Sequence, residues 1–139
     1  ARSHVFIWLA TIFCSVYFQS WLPVLFIVLP NFYGKTLVML MGLTQHAGLQ
    51  EDVKDHRLST RTVYLNPIFS FLYWNMEYHV EHHMFPQVPS YNLKRLHVLI
   101  KDQTPAARKG LWGAYKEIVP ALFKQAKDPD YKIPLTVPG

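Results

Sequence analysis

Residues 4–43 read HVFIWLATIFCSVYFQSWLPVLFIVLPNFYGKTLVMLMGL, and only Gln19, Lys35 and a few small polar residues interrupt the Val, Ile, Leu, Phe, Trp and Met of this run. A membrane-spanning helix needs about 20 apolar residues. The run therefore makes two spans, Val5–Phe18 and Val24–Leu43, if it turns tightly around Gln19–Pro23. One long span over His4–Leu29 followed by an interfacial helix is the competing reading. A signal peptide fits poorly, because its apolar core runs about 7–15 residues and ends in a small-residue cleavage site. The hairpin is favoured because it returns both ends to one side, where Arg2 and the later histidines would meet. Lysine at a bilayer centre costs about 2.5–3.5 kcal/mol. Lys35 is thus expected to snorkel or face inward beside a kink at Pro30 and Gly34. Cys14, the one cysteine, offers no disulfide and reads as a packing residue.

Beyond this run the composition is that of an ordinary soluble chain. At 139 residues one domain is expected. Of the 14 Lys and Arg, 12 follow Gln50, with all nine acids, leaving an excess of three. That asymmetry places residues 44–139 on the cytoplasmic side. The charges are mixed in sign and no nucleic-acid motif is present, so the excess suits anionic lipid or an acidic electron-transfer partner better than nucleic acid.

The chemistry-bearing stretch is Asn75–Pro86, NMEYHVEHHMFP. On a helix advancing about 100° per residue, His82 falls roughly 60° to one side of His79 and His83 about 40° to the other. Three imidazoles thus leave by one face, a metal-binding pattern. Asn75, four residues before His79, would lie near the same direction and could support the ligands, whereas Glu81 points nearly opposite. The zinc motif HExxH is absent, since Val80 follows His79. Imidazole ligands alone suit Zn, Cu, Fe or Ni.

HVEHH followed by MFPQVPSY resembles the third histidine box, HxxHH, of the integral-membrane fatty acid desaturases and their hydroxylase and ketolase relatives. In that family three boxes surround a diiron centre on the cytoplasmic side of a four-span membrane domain. Only the last box is found here, and the chain begins at Ala1 without a methionine. The resemblance therefore implies the C-terminal portion of such an enzyme. It also implies that His46, just past the apolar run, joins His79, His82 and His83 as an iron ligand. Some relatives carry an asparagine four residues before that isolated histidine. Gly42 stands there in this chain, and Gln45 is the candidate replacement.

The loop Glu51–Thr62, EDVKDHRLSTRT, reads mostly as a solvated connector. Its sharper reading gives Asp55, His56 and Arg57, with Arg61, a part in orienting imidazoles or holding a lipid head group, His56 also being a possible ligand. Asn66 and Pro67 cap and open a helix expected to run unbroken from Ile68 to about Met84, with aromatics at the membrane interface. Ser90 caps an amphipathic helix from Tyr91 to about Lys101, with Leu93, Leu96, Leu99 and Ile100 on its apolar side and His97 as a core histidine. Thr104 and Pro105 are expected to open a further helix, broken near Pro120 and ending by Lys127.

The expected fold is all-α: a transmembrane helical hairpin over 1–43, a cytoplasmic helical region with the histidine box over 44–127, and an extended tail over 128–139. The resemblance implies two Fe ions completed by ligands from outside this chain, an acyl-lipid or acyl-thioester substrate, O2, and electrons from a cytochrome b5 or ferredoxin system. The membrane would be the endoplasmic reticulum or the bacterial inner membrane. A histidine rather than glutamine at position 79 argues against the branch fused to cytochrome b5. A carotenoid ketolase, a hydrocarbon hydroxylase, or a non-catalytic membrane piece are the alternatives.

Overall fold

The computed structural model describes residues 2–138. Ala1 and Gly139, the outer ends of the expected hairpin and tail, lie outside the described residues, as does the side chain of Arg2. The chain is mostly helical and divides into two compact units, Ala1–Leu40 and Met41–Gly139.

In the first unit α1 (Arg2–Tyr17) turns back through Phe18–Leu22, with Gln19 at φ 47°. The turn falls where the sequence places it. The Trp8 and Phe32 rings lie 6.1 Å apart, and Ser15 and Val24 line one cleft nearer the turn, the pairing of an antiparallel hairpin. The helix is therefore not continuous from His4 to Leu29. Thr11 and Ser15, four residues apart, are the buried positions of α1 among the described residues, and small residues at this spacing let helices approach closely in lipid. The large apolar residues around them are exposed: Phe6, Phe13, Val16, Trp21 and Phe26 are each at least 68% accessible. Such a surface suits hydrocarbon.

The arms differ in length. Val24–His46 is a continuous helix of 23 residues, long and apolar enough to cross a membrane. Ser3–Tyr17 is apolar but shorter than the ~20 residues a span requires. Within the long arm, Val24–Val28 is a π turn closed by the Leu29 N–H on the Val24 carbonyl, and α2 (Leu29–His46) follows. Pro30 explains the widening, since it cannot donate to Phe26 and its ring crowds that carbonyl. The irregularity thus precedes Pro30 instead of bending the helix at Gly34. Lys35 is exposed, sharing a shallow groove with Asn31 and Gly34.

In the second unit the last turns of α2 lead to α3 (His56–Ser59), β1 (Val63–Tyr64), α4 (Pro67–Leu72), α5 (His79–Met84), α6 (Leu93–Ile100), β2 (Arg108–Lys109) and α7 (Gly110–Gln125). The strands pair in parallel, Val63 with Arg108 and Tyr64 with Lys109. Two residues each, they leave the class all-α. One core joins Val63, Ala114 and Ile118; another joins Leu49, Ala121 and Ile133. Ile133 comes from the otherwise extended tail, and its N–H bonds the Gly48 carbonyl at 2.7 Å. Gly48 is required there: its φ is +78°, and a Cβ would lie 2.7 Å from Ile133 Cδ1.

Three helix boundaries differ from the sequence reading. Asn66 caps α4 as expected, its side chain accepting the Phe69 N–H, but the helix stops at Leu72. Trp74 and Asn75 then take left-handed backbone, φ 59° and 55°, so α5 is separate. Thr104 and Pro105 lie before β2, and α7 opens only at Gly110. Pro120 does not interrupt α7, whose flanking Ile118 and Ala121 are fully buried and hold the helix across the one missing bond. On α6 the buried set is Leu93, His97 and Ile100, while Leu99 is 77% exposed.

Candidate metal centre

α5 carries three histidines, and α2 delivers a fourth at its last residue. His46, His79 and His83 offer ligand nitrogens that all lie within 4.8 Å of one another. His46 Nε2 is 2.9 Å from His79 Nε2, which is 3.1 Å from His83 Nε2. Two nitrogens bound at right angles to one ion, each at about 2.1 Å, are themselves about 3.0 Å apart. The observed separations match that spacing. His82 stands beside this group, its ring centroid 5.8 Å from that of His79 and 5.7 Å from that of His83.

Proton positions favour a cation at the convergence. His46 Nδ1 lies 2.9 Å from the Ser59 carbonyl, which can only accept, so Nδ1 carries the proton and Nε2 presents its lone pair inward. His79 Nε2 faces two other imidazole nitrogens and has at most one proton to offer them. A positive ion satisfies all three lone pairs at once. The carbonyl-rich end of α2 adds partial negative charge beside His46.

Burial, and then the imidazoles of His46, His83 and His82, push the His79 pKa down to about 3, with the Met76 carbonyl opposing the shift. Among the described residues no group, the Met76 carbonyl included, meets hydrogen-bond geometry with its buried Nδ1. His83 is lowered too, by burial first and then by His46, His56 and His82. Neutral imidazole is the ligating form.

Neighbouring chain holds these rings. Arg61, 3% exposed, donates to the Thr44 carbonyl at 2.7 Å and the Ala47 carbonyl at 3.3 Å, and pairs with Glu117 at 2.7 Å. It thus braces the turn carrying His46. Gln45 reaches the other way, donating to the Met76 carbonyl at 3.0 Å just before α5. Asp55 caps α3 through the Arg57 N–H and pairs with the Arg57 guanidinium, which holds its carboxyl below the usual range. Arg57 also donates to the Gln103 carbonyl. Asn75 is in the turn before α5 and accepts from Ser70 Oγ at 3.1 Å. The His56 ring lies 5.1 Å from His83, and with His46, Glu51 and Asp52 it lines a cleft of about 540 Å³.

Ser59 is the partner that sequence reasoning missed. A backbone carbonyl leaves no mark in residue type. Glu81, opposite the histidines, is completely buried and bonded to Thr62 and His97.

Residues 1–115 match the family described as fatty acid desaturase. This chain belongs to the fatty acid desaturase family. No curated protein and no solved structure matches it. The matched range includes both helices of the apolar hairpin, the loop around His56 and the histidines of α5. Family membership implies an oxidoreductase that uses iron and associates with membrane, and the donor set fits: three imidazole nitrogens at ligand spacing suit a transition metal.

Proposed function

We propose that this chain is the C-terminal portion of a membrane diiron acyl-lipid desaturase. Its reaction is R–CH2–CH2–R′ + O2 + 2e⁻ + 2H⁺ → R–CH=CH–R′ + 2H2O. The observation that carries the reading is the convergence of His46, His79 and His83 Nε2 atoms from two separate helices in a chain of this family. His82, adjacent on α5, is the fourth proposed ligand. Four histidines do not fill the coordination of two irons, so the remaining ligands would come from sequence outside this chain.

Iron supplies the activation of O2 and the oxidising power for an unactivated methylene. The chain's own residues supply the rest. His46 is aimed by Ser59, and burial keeps His79 neutral for ligation. Gln45 ties the end of α2 to the Met76 carbonyl, so the two ligand-bearing segments move together. The apolar hairpin would anchor the enzyme in the endoplasmic reticulum or bacterial inner membrane, with residues 44–139 on the cytoplasmic side near a cytochrome b5 or ferredoxin donor. His56 stands in reserve as a further ligand.

The test is to express the full-length gene product in a host lacking the product lipid and analyse fatty acids and other lipids by mass spectrometry. A new cis double bond that vanishes in His79→Ala supports the reading. Hydroxylated alkane or oxidised carotenoid would move the enzyme to the hydroxylase or ketolase branch, and no metal-dependent product would make it non-catalytic.

A further inference from the structure

The face of α5 opposite the histidines carries a second structure. Glu81 lies about 200° around the helix from His79 and cannot share its direction. Its carboxylate is wholly buried, with Oε2 accepting from Thr62 Oγ1 at 2.6 Å and Oε1 facing His97 Nδ1 at 2.5 Å. His97 Nε2 in turn meets the Tyr64 hydroxyl at 2.7 Å. If His97 donates from Nδ1 to the carboxylate, Nε2 accepts from Tyr64, and the chain of bonds is consistent throughout. Thr62 and Tyr64 bracket Val63 of β1, and His97 belongs to α6. One carboxylate therefore binds α5 to a strand and to another helix.

A helix of six residues whose N-cap, Tyr78, makes no side-chain bond, and whose Val80 N–H reaches out to Thr62 Oγ1 at 3.4 Å, has little stability of its own. What grips it from outside sets the direction of its histidines. We propose that Glu81, held by Thr62 and His97, is a positioning residue that fixes the rotation of α5 and so aims His79 and His83 at the metal. This rests on the metal-centre reading above. An imidazole Nε2 stands several ångströms from the helix axis, so a rotation of about 10° moves it by about 1 Å, beyond the ~0.5 Å tolerance of a metal site. Partners behind metal ligands typically change affinity by 10–100-fold when lost.

The deciding experiment titrates Co(II) into the purified full-length protein and its variants, recording affinity, the ligand-field spectrum and the melting temperature. Glu81→Leu and His97→Phe should weaken Co(II) binding by about 10–100-fold and shift the bands. Glu81→Gln, which can still bond both partners, should restore the wild-type spectrum. Lower melting temperatures with wild-type affinity and spectrum in both disruptive variants would make the network merely structural and overturn the proposal. Should Glu81→Leu not fold, His97→Phe decides: a shifted spectrum with weaker binding supports the proposal and an unchanged one overturns it. If the wild-type protein takes up no Co(II) at its histidines, the metal-centre reading itself fails.

Discussion

At the scale of residues, His79 trades stability for readiness to ligate. An unfolded histidine titrates near 6.5, whereas the folded side chain, 7% exposed, titrates near 3. Between those values the unfolded chain binds a proton that the folded chain refuses. Stability of the metal-free protein should therefore be unaffected by this group above pH 6.5 and fall as pH drops from there toward 3. The limiting slope is about 1.4 kcal/mol per pH unit and the total a few kcal/mol. Denaturant unfolding at several pH values, wild type against His79→Asn, checks this; the variant should have the flatter profile below pH 6.5. The approach of His79 and His83 was readable from spacing, because even six residues of helix preserve the 100° step, whereas His82 is not among the converging nitrogens. His46 needed the family resemblance, since nothing local marks a lone histidine after an apolar helix as a ligand. Ser59 acts through its backbone, and the partners of Glu81 lie 19 and 16 residues away in sequence, at Thr62 and His97. Single-helix geometry shows where Glu81 points but not what it meets.

At the scale of elements, the break between α4 and α5 frees the histidine helix from the orientation of its predecessor. The break escaped the sequence reading because neither glycine nor proline marks it. Trp74 and Asn75 carry the left-handed backbone instead, and asparagine tolerates it better than most residues. Asn75→Ala should destabilise the protein by about 1–2 kcal/mol, and Asn75→Gly by clearly less, although both lose the bond from Ser70. Thermal unfolding of the pair measures the backbone contribution as their difference; equal losses would assign the effect to the side chain. Proline was misleading twice. Pro105 precedes a strand, and Pro120 sits inside α7, where buried neighbours outweigh one absent hydrogen bond.

At the scale of the whole molecule, the chain divides into an apolar unit over Ala1–Leu40 and a more polar one over Met41–Gly139. The turn at Gln19 was legible because residues of low apolarity concentrate there. The shorter described first arm was not, since a continuous apolar run carries no mark of where a helix ends. The hairpin should keep the full-length protein in the membrane pellet after an alkaline carbonate wash, and release into the supernatant would count against it. The central claim is that His46, His79 and His83 hold iron together. Its most direct measurement is anaerobic iron stoichiometry on the purified full-length protein, wild type beside His46→Ala and His79→Ala. The account predicts two irons per chain in the wild type and a loss of at least one in each variant. Unchanged iron content in both variants would contradict it.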